Sequence, residues 1–169
     1  MKRPAPINRE KVMNDGDFLV SKTDLKGVIT YGNEIFIEIS GYEEEELLGT
    51  PHSIIRHPDM PKVVFKLLWD RVKNRKEIFA YVKNLAKDGS YYWVFANVTP
   101  DFNLKGEIRG FYSVRRKPTK KGLDTIRDIY SKLLNVEKSG GVSESEKLLG
   151  EILEDVGGTY DEVIMSLQK

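Results

Sequence analysis

Residues 49–61, GTPHSIIRHPDMP, hold both histidines of the chain together with an arginine, an aspartate and three prolines. Imidazole, guanidinium and carboxylate groups so closely spaced can bind an anion, hold a polar ring or, through a histidine, ligate iron. Each proline fixes its own φ and turns the residue before it away from the helical region. His57 is therefore pressed toward an extended conformation between Arg56 and Pro58. A loop stiffened in this way presents its side chains to a ligand with little ordering cost. Asp59 and Pro61 also suit the start of a following helix, as cap and first-turn residue. Capping leaves Arg56 and His57 unexplained, and they stand as ligand-facing candidates.

The rest of the inventory excludes much. There is no cysteine, which removes disulfides, thiolate catalysis and cysteine metal sites. The chain has no nucleophile–base–orienter set, no Walker or dinucleotide-binding glycine pattern and no metal-ligand cluster, so an enzyme is not expected. With 27 basic and 26 acidic residues among 169, the net charge is +1. Nothing draws the whole chain toward nucleic acid or an acidic membrane. No apolar run approaches the roughly 18 residues of a membrane span. The start, MKRPAPINRE, lacks the apolar stretch of a signal peptide. The expected location is the cytoplasm, without direct membrane insertion.

The elements that must position these residues follow from periodicity. Residues 1–17 read as an N-terminal arm or cap: a flexible, proline-bearing start to residue 7, then a short polar segment suited to a helix. FLVSKTD and VITYG, around a glycine-bearing turn at 25–27, form a hairpin signature. NEIFIEIS, residues 33–40, sets Ile35, Phe36 and Ile39 at helical spacing before Gly41 stops it. A brief acidic helix follows at 43–48. Residues 62–75 place Val64, Leu68 and Val72 four apart with Phe65 and Trp69 alongside, an amphipathic helix of about four turns. Strands are predicted at 78–87 and 91–101, joined by Asp88-Gly89, and at 107–116. Hairpin-length connections make this an α+β layer, a five-stranded antiparallel sheet with short helices on one face, at 18–117. Beyond it, residues 118–169 read as a C-terminal helical extension. Leu123, Ile126, Ile129, Tyr130, Leu133 and Leu134 share one stripe, Ser139-Gly140-Gly141 breaks the helix, and two short helices follow. The extension can close as a satellite bundle on the domain or supply a dimer or partner contact.

Two strands, short helices, a longer helix and three strands is the order of the PAS fold. Residues 23–116 resemble the flavin-binding PAS domain of Aer-type aerotaxis receptors, through the blocks TDLKGVITYGNEIF, SGYEEEELLG, PHSIIRHPDMPK, VKNLAKDGSYYWVFANVTP and GFYSVR. Without a HAMP segment or methylated signalling helices, the chain is also similar to standalone, CetB-like PAS proteins that pair with a separate receptor subunit. The resemblance implies non-covalent FAD and a redox or energy-taxis sensor. Its partner would be a membrane chemoreceptor with HAMP and signalling domains, which would hold it at the inner membrane. Homodimers through the PAS core or the terminal helices are also in keeping with the family.

Carried over at matching positions, Arg56, His57 and Asp59 of the RHPD block are flavin-pocket candidates, and Asn33 after the second strand is another. Trp69 and Asn84 match a tryptophan and an asparagine of the flavin PAS domains in nitrogen-fixation regulators. Trp69 suits a wall against a flat ring, and Asn84 offers a donor and an acceptor to its polar edge. Phe79 stands where Aer-type domains carry a tryptophan, so part of the pocket wall is expected to lose an indole N–H. The second asparagine of photosensory LOV domains falls at Val94, and their reactive cysteine is absent, which excludes blue-light adduct chemistry. Two other readings stay open: a haem PAS with His52 or His57 as axial ligand, and a cofactor-free interaction module.

Overall fold

The computed structural model describes residues 2–169. Strands β1 (Leu19–Asp24) and β2 (Ile29–Gly32) form the first hairpin, followed by α1 (Glu34–Ser40), α2 (Glu44–Leu47), a 3-10 turn at His52–Ile55 and α3 (Lys62–Lys73). Three longer strands come next, β3 (Ile78–Leu85), β4 (Tyr91–Phe102) and β5 (Ile108–Arg116). They make one antiparallel sheet in the order β2-β1-β5-β4-β3. The expected α+β layer is therefore present. Local chemistry sets its boundaries: Asn33 Oδ1 accepts the Phe36 N–H at the start of α1, and Gly41 ends the helix in the left-handed region. In the β3–β4 turn Gly89 takes φ 87°, which few other residues adopt without strain.

One face of the sheet packs on α1, α2, the 3-10 turn and α3. The other face, over β3 and β4, is covered by the C-terminal extension. Helix α4 (Lys120–Val156) bends at Gly141, where φ 74° and ψ −168° interrupt the helix, and α5 (Tyr160–Leu167) follows a left-handed cap at Gly157. The break expected at 139–141 is present, with helical turns on either side of Gly141. Tyr130 and Leu133 of α4 are buried, and the Tyr130 hydroxyl donates to the Tyr81 carbonyl at 2.7 Å. From α5, the Tyr160 hydroxyl donates to the Phe79 carbonyl at 2.8 Å. Within the chain, the apolar stripe of α4 packs on the sheet, with the Tyr130 ring against Trp93 of β4 at 6.1 Å between centroids.

Two local expectations change. The polar segment up to residue 17 is not helical; Glu10 forms a parallel bridge to Tyr91 and the chain runs extended beside β4. The flanking prolines and the free backbone groups of Tyr91 favour pairing over a short isolated helix. Asp59 does not cap α3 either. The helix starts after Pro61 with no capping side chain of its own, and its first N–H groups are taken by Glu137 of α4. No helix of the described residues is long and apolar enough to cross a membrane.

Candidate ligand-binding site

Between α3 and the inner face of the sheet lies a cavity of about 180 Å³. A single water needs about 10–15 Å³ by the same measure, so there is room for a ring system rather than a few waters. Side-chain alternation decides its walls: Val82 and Asn84 from β3, Ala96 and Val98 from β4, Phe111, Ser113 and Arg115 from β5, and Ser21 and Thr23 from β1. Across from them stand Phe65, Leu68 and Trp69, spaced to share one side of α3. The Trp69 ring meets Phe111 edge-on, with centroids 5.3 Å apart.

Polar groups enter this apolar shell at few points, and those left without partners are donors. Buried atoms lacking any hydrogen-bond partner include Nε of Arg56, Nδ2 of Asn84, and Nε and Nη1 of Arg115. Orphaned buried donors are costly unless something accepts from them. Among the described residues no carboxylate lines the cavity, while Lys26, Arg56 and Arg115 do. The Arg56 guanidinium lies 3.7 Å from the centre of the Phe65 ring, and its backbone bridges to Asn84. The 3-10 turn and β3 therefore hold Arg56 and Asn84 side by side.

Arg115 is 2% exposed and sits over the Phe36 ring at 4.6 Å. Burial pushes its guanidinium down to about 10. Its Nη2 donates to the Ser21 hydroxyl oxygen at 2.5 Å, and the same oxygen is 3.0 Å from Nε2 of His52. Arginine can only donate, so the Ser21 proton is free to point at His52 Nε2, which leaves a neutral ring its proton on Nδ1. Neutrality follows from the surroundings: burial, then the charges of Arg115 and Arg56, push His52 down to about 3. His52 is half-buried and lines the cavity.

Of the residues singled out from the sequence, Arg56, Trp69 and Asn84 converge on this cavity. Four others are not brought to it. Asn33 is spent on backbone, accepting from Val20 and Phe36 and donating to the Phe18 carbonyl. His57 is 3% exposed but packs edge-on against Tyr91, and its Nδ1 accepts the Asp59 N–H. Burial, followed by the charge of Lys83, holds it below its ordinary range, with Asp59 opposing. Asp59 itself is a surface partner of Lys83 at 2.9 Å. Phe79 points to the opposite face of β3, stacked on Phe95 with centroids 5.6 Å apart, so it walls the contact with the C-terminal extension rather than the cavity. Arg115 and Ser21 escaped the sequence reading, and His52 entered it only as a haem ligand. The alternation Phe111, Ser113, Arg115 carries the signal, but an arginine near a strand end reads as solvent-facing until its neighbours are known.

A family described as PAS fold matches residues 29–115, the stretch that supplies most of the cavity wall. The chain belongs to the PAS-fold family. Its PAS region is related to the aerotaxis receptor of Escherichia coli (strain K12), 40% identical over 130 residues, which are 77% of this chain and 26% of that protein. A nitrogen fixation regulatory protein of Klebsiella pneumoniae is 28% identical over 97 residues, 57% of this chain and 20% of that one. The chain thus spans about a quarter of the length of the first of these relatives and a fifth of the second. Among solved structures, the PAS domain of a Colwellia psychrerythraea protein superposes with a TM-score of 0.56 at 23% identity, covering 61% of this chain and 87% of that domain. A light-oxygen-voltage domain studied with a flavin analogue gives 0.53 at 22% identity, covering 72% and 85%. At such identities the two structures speak to the PAS fold alone.

Proposed function

We propose that this PAS protein holds FAD in the cavity beneath α3 and senses redox state, passing the signal to a separate membrane chemoreceptor. One observation carries the reading: the cavity is apolar, walled by Trp69, and its unpartnered polar atoms at Arg56, Asn84 and Arg115 are all donors. An isoalloxazine ring answers that pattern, with a flat apolar body and carbonyl and ring-nitrogen acceptors along one edge. Relationship to an aerotaxis receptor supports the same class of output.

When bound, a flavin supplies reversible electron transfer with a change of ring charge and protonation. The residues of the chain do the remainder. Asn84 orients the polar edge, and Trp69, Leu68 and Phe111 exclude water from the ring faces. Arg115, fixed by Ser21 and Phe36, places a cation where negative charge is favoured in one redox state over the other. That difference is what a switch requires.

The absorption spectrum of the native protein tests the proposal. Oxidised flavin bands that bleach on adding dithionite are expected, and Trp69→Ala and Asn84→Ala should each lower occupancy while leaving the fold intact. A Soret band would mean haem instead. A colourless protein that cannot be reconstituted with FAD would leave an interaction module.

A further inference from the structure

The N-terminal arm is drawn to the cavity by its pairing beside β4. Ile7 N–H donates to the Gly89 carbonyl at 2.8 Å, Tyr91 N–H to the Arg9 carbonyl at 2.9 Å, and Lys11 N–H to the Tyr91 carbonyl at 2.8 Å. Residues before Ile7 then cross toward the 3-10 turn, where Nη1 of Arg3 donates to the Arg56 carbonyl at 3.2 Å.

Two cationic residues are thereby held together. Arg56 feels a second cation, Arg3, and no carboxylate; burial first, and then that charge, hold its guanidinium below the ordinary range. No salt bridge among the described residues includes either arginine. Nε of Arg56 is buried and unpartnered. Like charges gathered without a counter-charge, one of them with a spare donor, suit an anion, and the planar guanidinium fork matches phosphate oxygens. Arg115 is sealed 2% exposed within the same cavity, while Arg56 is half-buried in its wall and the exposed Arg3 reaches that wall through the Arg56 carbonyl. Lys26, exposed on the β1–β2 turn, also lines the cavity.

Resting on the flavin reading above, we propose that Arg3 and Arg56 clamp the phosphate of a phosphorylated flavin whose ring fills the cavity. The N-terminal arm then acts as a strap that the ligand's anionic tail draws closed. The strap selects for phosphate: riboflavin has the same ring and gives it nothing to hold.

The test uses the full chain titrated with riboflavin, FMN and FAD, followed by flavin fluorescence. FMN and FAD should bind more tightly than riboflavin, with the gap narrowing as salt is raised. Arg3→Glu should weaken FAD binding about tenfold, the loss of one charge-assisted contact, and leave riboflavin unchanged. Arg3→Ala should fall between. Inorganic pyrophosphate should compete with FAD and not with riboflavin. Equal affinity for riboflavin and FAD, or an Arg3→Glu protein indistinguishable from the parent, overturns the clamp while the flavin reading stands. Failure of all three flavins to bind the folded protein overturns both.

Discussion

The Glu137 carboxylate of α4 accepts the N–H of Val63, in the first turn of α3, at 3.0 Å. The same oxygen, Oε1, accepts from the buried Ser145 hydroxyl across the kink, and Oε2 accepts the Lys62 N–H at 2.9 Å. Helix α3 needs this because the first N–H groups of any helix lack internal acceptors, and Pro61 offers no side chain to take them. The helix that walls the cavity is therefore capped by the C-terminal extension. Lys66–Glu146 and Arg71–Asp161 pair the two along the exposed side of α3. Movement of α3 on a ligand thus has a direct route into α4.

Glu137→Ala should cost about 1–2 kcal/mol, the upper part of the range for losing a helix cap, since two N–H groups are orphaned. Urea unfolding followed by circular dichroism measures it as a lowered midpoint. Ser145→Ala should cost less, and the double substitution less than the sum, because both act through one carboxylate.

Arg115 should trade stability for function. Its guanidinium is buried with two nitrogens unpartnered and no carboxylate beside it, which is the arrangement least favourable to the empty protein. Arg115→Met should stabilise the ligand-free protein by about 1 kcal/mol or more. The same change should lower the midpoint potential of bound flavin by on the order of 30–60 mV, the worth of one charge-assisted hydrogen bond in a two-electron couple. Thermal melting of the empty protein and dithionite titration of the loaded one read the two effects separately. An unchanged potential would mean that Arg115 does not face the ring.

Phe79→Ala separates the two faces of β3. The ring stacks on Phe95 beneath α5 and takes no part in the cavity, so the substitution should destabilise the protein by about 2 kcal/mol, less than for a fully buried phenylalanine. Hydrogen exchange in α5 should quicken, whereas the flavin spectrum and affinity should not change.

Much of the cavity was legible because its elements follow period and punctuation. The 3.6-residue repeat of Val64, Leu68 and Val72 announces α3, and Asp88-Gly89 announces the turn that pairs Asn84 with Tyr92. What the sequence hid were side-chain directions and long-range partners. A strand offers two faces, and resemblance alone assigned Phe79 to the wrong one. His57 and Asp59 share a motif with Arg56, yet the chain turns between them: Arg56 bridges to Asn84, while His57 packs on Tyr91. Helix capping by Glu137 joins residues 74 apart in the chain, and no local pattern encodes that.

His52 supplies a pH dependence whose sign is fixed. Held at about 3 in the fold against an ordinary 6.5, it stays neutral in the native protein over a range where the unfolded chain takes up a proton. Stability from this group is complete above the unfolded value and is lost as pH falls through the folded one, so the window runs from about 6.5 down to about 3. The limiting slope for one proton is about 1.4 kcal/mol per pH unit. His57 is shifted the same way, and Asp59 and Asp88, held below their usual values, also weaken the fold in acid. The contribution of His52 therefore has to be read as a difference. Unfolding free energies of the parent and of His52→Gln, which keeps an acceptor for Ser21, should differ by a constant above pH 7 and shift against the parent as pH falls to 4. Parallel curves across that range would show that water reaches the ring and that the Ser21–His52 pair carries no buried neutral imidazole.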